Sequence, residues 1–330
     1  MYETYYGLRE QPFDLAPNPR YLVLTGRHQE VLTHLRHGIS QRVGVTVVIG
    51  PPGTGKTTLI RTAMAEYSGG DVHCLLMTNP LMKREEFLQV IARGFDLSPE
   101  ATRSKATLLE ELERCLRERA QRNMLTAVIV DEAQALSDEL LEEVRLLVNL
   151  ETDTHKLLSL VLAGQSELAA RLNEPSSLAL KQRIALRCEL LPLSAQETAQ
   201  YIASRVRIAG GMPSNLFTAE AVSLIHERSG GIPRVVNVLC ANSLLSGFAS
   251  GQRPVRRDIV LEVCQDFDFA ETAAPAAPEP APSMPVVTEP ASPIVTPDDP
   301  PERSDAAASA AVDRFRFLAP QSGGRTWFSR

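Results

Sequence analysis

The chain has 330 residues, 44% of them hydrophobic, and a formal net charge of −6. That size supports one large domain or two modest ones with a real core, and the acidic balance excludes a broadly basic nucleic-acid footprint, leaving room only for a local patch. Five dispersed cysteines without a Cys-x-x-Cys pair read as reduced core thiols in a reducing compartment, and no membrane span is expected because about 18 apolar residues never run uninterrupted.

The opening MYETYYGLREQPF lacks a charged stretch followed by a long apolar run, so no signal peptide is expected. By itself this aromatic stretch reads as a flap packed on the core. From residue 43 strands alternate with helical patterns, the mark of a parallel α/β sheet. VGVTVVI (43–49) is the first strand, followed by a helix from Lys56 to Tyr67, and VHCLLMT (72–78) is the next strand. Phe87, Leu88, Ile91 and Phe95 give one helix face, and Leu108, Leu109, Leu112 and Leu116 another. TAVIVDEAQ (126–134) reads as a buried strand ending in acids, with a helix starting at Gln134 and Ala135. LLSLVLAG (157–164) and ALRCELLPL (185–193) complete the set.

After residue 194 the strands stop and helices are expected at about 195–209, 218–229, 232–248 and 256–265, with Thr218 capping the second. Beyond Ala273 the chain turns to Ala, Pro, Glu, Ser and Val, with ten prolines between 275 and 301. Such a segment buries too little surface to offset its ordering entropy, so an extended linker is expected. VDRFRFLAP and the final RTWFSR read either as a disordered tail or as docking motifs. The expected division is a segment 1–42, an α/β core 43–193, an all-helical lid 194–268 and a disordered Pro/Ala-rich tail 269–330.

The loop after the first strand is Gly50-Pro51-Pro52-Gly53-Thr54-Gly55-Lys56-Thr57-Thr58. It fits the phosphate-binding pattern without a mismatch. Its glycines let backbone N–H groups turn inward around phosphates, and the helix from Lys56 aims its positive end at the same charge. Lys56 is expected to reach the β- and γ-phosphates, and Thr57 to coordinate Mg²⁺. Asp131 and Glu132 follow an apolar strand and so point into the crevice at its carboxyl end. Asp131 suits the metal, and Glu132 suits the attacking water; a plain helix cap is the competing reading. Gln165 follows LLSLVLAG and is placed to sense the γ-phosphate, unless it is an ordinary loop amide. Arg183 and Arg187 precede and enter the last strand. Arg183 is the better candidate to reach a neighbouring subunit's nucleotide, with a surface or ion-paired role open for either. Pro233 sits in the first turn of a lid helix, which fixes Arg234 at the helix start, facing the phosphates or paired to an acid such as Glu227.

These elements in this order resemble the AAA+ ATPases over about residues 20–268. The N-terminal segment, with Tyr5-Tyr6-Gly7-Leu8, Pro12-Phe13, Pro17-Asn18-Pro19, His28 and Gly38-Ile39, resembles the general secretion pathway protein A family. Pilus ATPases of the mannose-sensitive haemagglutinin system and exosortase-associated ATPases share that signature. The resemblance implies an ATP- and Mg²⁺-dependent oligomeric ATPase at the cytoplasmic face of a bacterial inner membrane, working with a membrane partner. It also puts Leu22 and His28 beside the adenine. Full-length secretion members carry a transmembrane helix and a peptidoglycan-binding domain where this sequence has its Pro/Ala-rich tail. The phosphate loop GPPGTGKTT is closer to the general AAA+ form than to the family's Gly-Glu version.

Three functions are therefore weighed. The first is an envelope-assembly ATPase for secretion, pilus or exopolysaccharide export. The second is a DNA-linked ATPase resembling transposition target-selection proteins, which the acidic charge and the isolated Arg253–Arg257 stretch disfavour. The third is a nucleotide switch with little hydrolysis, which Glu132 and Arg183 disfavour.

Overall fold

The computed structural model describes residues 2–15, 19–67, 72–78 and 80–268. The Pro/Ala-rich tail with its aromatic clusters, and Pro17-Asn18 of the N-terminal signature, lie outside the described residues.

A short helix α1 (Tyr2–Tyr6) leads to α2 (Gly26–Ser40), whose first turn is closed by the Thr25 hydroxyl accepting from the His28 N–H. Strands and helices then alternate: β1 (Val45–Ile49), α3 (Lys56–Ala65), β2 (Val72–Met77), α4 (Arg84–Gly94), α5 (Lys105–Gln121), β3 (Leu125–Val130), α6 (Asp138–Leu147), β4 (Ser159–Gly164), α7 (Ser166–Leu172), α8 (Leu178–Lys181) and β5 (Ile184–Glu189). Four further helices follow, α9 (Ala195–Ile208), α10 (Ala219–Ser229), α11 (Pro233–Ala249) and α12 (Arg257–Asp266).

The five strands form one parallel sheet in the order β2-β3-β4-β1-β5. Their near-continuous apolar composition follows from burial on both faces. Alternate residues go to opposite sides: Val128, Val130, Leu160 and Leu162 pack with α4, α5 and α6, whereas Ala127, Ile129, Val161 and Ala163 pack with α2 and α3. Because all strands run the same way, the carboxyl ends of β1, β3 and β4 share one edge, where open α/β sheets place their ligands.

Two expectations from the sequence need correction. The segment 126–134 is not strand throughout: β3 ends at Val130, Glu132 takes a left-handed φ of 53°, and Ala133–Ala135 make a single 3₁₀ turn. The next helix begins at Asp138, not at Gln134, because the Ser137 hydroxyl accepts from Leu140 N at 3.2 Å and caps it there. The strand expected to run to 193 stops at Glu189. Leu190 N still reaches the Ile49 carbonyl, but Leu193 N bonds to Gly231 O, so the chain is already crossing to the lid.

The N-terminal aromatics also pack elsewhere than on the α/β core. Tyr6, Leu8, Phe13 and Tyr21 join the separate core of the helical lid, with Val236, Leu239, Cys240 and Leu244 of α11. One backbone and one side-chain hydrogen bond fix this strap: Arg9 N donates to Ala209 O at 2.8 Å and Arg253 Nη1 to Tyr5 O at 2.6 Å. The physical reason lies in α11, which is apolar nearly all round and needs a second cover. Thr218 caps α10, its side chain accepting from Ala221 N. Among the described residues no helix is long and apolar enough to cross a membrane.

Candidate nucleotide site

A cavity of about 340 Å³ lies between the loop after β1, the strap and the lid. Its walls include Gly53 to Thr58 of the loop and α3, Leu22 and His28 of the strap side, Glu132 after β3, and Pro233 and Arg234 of α11. The loop closes into α3 through left-handed glycines, Gly53 with φ of 80° and Gly55 with φ of 103°. A Cβ on Gly53 would stand 2.9 Å from Arg234 Cβ and 3.0 Å from Ile232 Cγ2, so only glycine lets loop and lid approach this closely. Arg234 N donates to Gly53 O at 3.2 Å, tying the start of α11 to the loop.

The first intrahelical bond of α3 runs from Leu59 N to Gly55 O. The amides before it, from Lys56 to Thr58, are the donors a helix leaves unsatisfied at its start, and they gather where the cavity lies. Lys56 is buried, its Nζ donating to Gly50 O at 2.8 Å and Pro51 O at 3.0 Å. Burial pushes its pKa down, while Glu132 and Asp131 pull it back up. Gly50 and Pro51 thus serve Lys56 through their carbonyls, and Gly50, Pro51 and Pro52 do not line the cavity.

The Thr57 hydroxyl donates to Asp131 Oδ2 at 2.5 Å, and Asp131 Oδ1 accepts from Glu132 N at 3.0 Å. A hydroxyl-to-carboxylate bond of this kind contributes about 1.5–3 kcal/mol. It joins the phosphate loop to the end of β3. A threonine hydroxyl beside a buried carboxylate is a hard-oxygen donor set, which fits Mg²⁺.

Glu132 lines the cavity with its carboxylate held from behind. Gln134 Nε2 donates to Oε2 at 2.6 Å and Gln165 Nε2 to the same oxygen at 3.2 Å. These amides, Gln134 first, hold the carboxyl below the usual carboxylate range against the opposing effect of burial, with Lys56 assisting. Gln134 Oε1 in turn accepts from Gln165 N at 3.1 Å, which locks the pair. Gln165 therefore touches Glu132 rather than the cavity itself.

His28 is buried, with Nδ1 2.7 Å from Thr25 Oγ1 and Nε2 3.3 Å from Thr54 O. A carbonyl only accepts, so Nε2 carries the proton. Burial lowers the His28 pKa, opposed by the Thr54 carbonyl and the Glu197 charge. Arg234 is exposed at the cavity wall. Arg183 lies away from the cavity, partly exposed, with Nη1 donating to Ala179 O at 2.8 Å. Arg187 lies on β5 and lines a second cavity of about 210 Å³ with Lys181.

Sequence reasoning passed over several residues of this site. Tyr201, Arg205 and Asn237 of the lid, and Tyr21 and Val23 of the strap, line the same cavity. Asn237 had a readable signal, since it stands three residues after Arg234 on one helix and so shares its face. The role of Gln134 was also readable from its place two residues after the acid.

Comparison with known proteins agrees with this geometry. The family described as an AAA domain matches residues 39–172. The fold is that of a P-loop AAA+ protein. The chain is 37% identical over 255 residues to General secretion pathway protein A of Aeromonas hydrophila, covering 77% of the chain and 46% of that relative. It therefore spans about half the length of the curated relative it matches. Among solved structures, Cdc6p from Pyrobaculum aerophilum aligns with a TM-score of 0.61 at 16% identity, over 77% of this chain and 70% of that one. The Aeropyrum pernix ORC2 protein, in its ADPNP-ADP complexes, aligns at 0.55 and 18% identity, over 78% and 71% of the two chains. The Thermotoga maritima RuvB Holliday junction branch migration motor aligns at 0.51 and 16% identity, over 74% and 70%. At such identities these structures establish the fold of this chain and nothing further.

Proposed function

We propose that the chain binds and hydrolyses ATP with Mg²⁺, and that the cycle powers or gates assembly of a bacterial envelope system, with secretion ahead of pilus or exopolysaccharide export. The observation that carries the hydrolytic part is Glu132, an ionised carboxylate on the cavity wall, oriented by Gln134 and Gln165 and adjacent to the Thr57–Asp131 pair. The similarity to General secretion pathway protein A supports the envelope part.

In this reading the amides at the start of α3 and the Lys56 ammonium bind the phosphate chain. Thr57 and Asp131 hold the metal, which when bound supplies charge neutralisation at the phosphates. Glu132 accepts a proton from the attacking water, and its hydrogen-bonded orientation is fixed before the nucleotide arrives. Gln165 reports on the γ-phosphate through Glu132, and Arg234 joins the lid to the loop. Leu22 and His28 form the wall on the base side. Arg183 completes the site of a neighbouring copy, so the working unit is a homo-oligomer formed with ATP. Docking to an inner-membrane partner at the cytoplasmic face gives the assembly its place.

The test is ATPase rate against protein concentration, with and without duplex DNA, for the wild type and Arg183→Ala. Specific activity that rises with concentration, ignores DNA and falls in Arg183→Ala at least tenfold supports the reading. Stimulation by DNA would put the transposition-like alternative first, and tight nucleotide binding with no turnover at any concentration would leave a switch.

A further inference from the structure

The lid half of the cavity contains a chain of hydrogen bonds whose direction is fixed at one end. Arg205 is buried, with Nε donating to Pro12 O at 2.6 Å and Nη2 to Asp14 O at 3.4 Å. Its Nη1 donates to Tyr201 Oη at 2.7 Å, and its guanidinium stacks over the Tyr21 ring at 5.0 Å. A guanidinium has no acceptor, so Tyr201 Oη must accept from it. The Tyr201 proton then goes to the remaining neighbour, Asn237 Oδ1, 3.0 Å away. Asn237 is 8% exposed and lines the cavity. With its oxygen engaged, its other polar end, Nδ2, is a donor, and among the described residues nothing accepts from it.

An amide normally has two faces to offer and flips between them. Here the arginine removes that freedom through the tyrosine, because the flipped amide would set a donor against the tyrosine proton. Nδ2 is not among the buried side-chain atoms that lack a partner, so this donor end is open at the cavity wall, where an acceptor on a ligand can take the place of water. Asn237 stands about 4.5 Å further along α11 than Arg234, which is tied to the phosphate loop. The walls near it, Tyr21, Leu22, Val23 and Tyr201, are flat or apolar and suit a planar ring.

We propose that Asn237 reads the nucleobase as a donor of fixed polarity, held so by Arg205 through Tyr201, and that the base it selects is adenine. This rests on the nucleotide-site reading above. Both bases accept at N3 and N7, but at N1 adenine accepts whereas guanine carries a proton and donates. A donor that cannot turn over, set against N1, therefore discriminates between them, and an amide free to flip does not. Tyr201 and Arg205 are positioning residues in this scheme, since they act only through Asn237.

The experiment is equilibrium binding of ATP, GTP and inorganic tripolyphosphate to the full chain and to the Tyr201→Phe and Asn237→Asp variants. The wild type should prefer ATP to GTP by about tenfold, of the order of one hydrogen bond. Tyr201→Phe, which frees the amide to flip, should bring the ratio towards one, and Asn237→Asp, which replaces the donor by an acceptor, should abolish or invert it. Tripolyphosphate, having no base, should bind all three proteins alike, which also establishes that the variants are folded. The proposal is overturned if the ATP:GTP ratio is the same in all three proteins, or if tripolyphosphate affinity falls in parallel with that of ATP. A wild type that binds neither tripolyphosphate nor ATP would instead overturn the nucleotide-site reading on which it stands.

Discussion

The phosphate half of the cavity and its lid half are built by opposite means. The first comes from one continuous stretch, 50–58, and the two acids after β3, joined by the Thr57–Asp131 hydrogen bond. The second is assembled from Asp14, Tyr21, Leu22, Val23 and His28 near the N-terminus, Tyr201 and Arg205 of α9 and Asn237 of α11, segments separated by most of the chain. Charge is handled locally in the first, by helix amides, a buried lysine and carboxylates. In the second, polarity is passed along a relay of side chains. Chemistry at phosphate needs a few groups at close quarters, which a loop delivers. Recognition of the rest of a ligand needs walls, which only packing delivers.

That contrast is broken most severely at Glu132. Glu132→Gln keeps the shape and removes the base, so phosphate release should fall by about 10²- to 10⁴-fold while nucleotide stays bound. Turnover that survives the change would remove Glu132 from the chemistry. Lys56→Ala should come next, lowering nucleotide affinity about 100-fold, as expected for hydrogen bonds to a charged group. Retained affinity, measured by titration of a fluorescent nucleotide, would contradict the role of the loop. Neither variant should disturb the lid half, since Lys56 bonds only within its own loop.

A smaller effect tests the seam between the halves. Gly53→Ala demands a positive φ from alanine and drives its Cβ to 2.9 Å from Arg234 Cβ. It should lower stability by about 1–3 kcal/mol, seen as a reduced midpoint in urea unfolding. An unchanged midpoint would mean that loop and lid separate without cost.

How far the sequence revealed the molecule follows the same division. The sheet was legible because its strands are buried on both faces and read as apolar runs, and the phosphate loop because its glycine spacing is dictated by backbone geometry alone. Asp131 and Glu132 were legible as polar residues ending such a run. What the sequence did not reveal depends on distant partners. The strap's attachment to the lid is set by the all-round apolar surface of α11, which nothing in YYGL or QPF reports. The break after Val130 depends on a left-handed Glu132, which as a non-glycine residue gave no warning. Tyr201 and Arg205, one turn apart on α9, read as an ordinary amphipathic helix until Asn237 is placed beside them.

His28 sits where strap and loop meet, and its titration gives the mildest probe of that junction. Burial is the main cause of its lowered pKa, so the folded protein holds it neutral where an unfolded chain would have protonated it. The sign follows from proton counting. As pH falls below about 6.5, the unfolded state binds a proton that the native state does not, so stability present above that pH is lost on acidification until the folded pKa is reached. Each pH unit between the two pKa values is worth about 1.4 kcal/mol. His28→Gln keeps an amide donor near Thr54 O and removes the titration. Unfolding midpoints measured from pH 8 to 5 should therefore fall more steeply for the wild type than for the variant. The two proteins share their other titrating groups, so the difference in slope isolates this residue. Equal slopes would mean that the His28 ring has the same proton affinity folded and unfolded, and that the strap leaves it open to water.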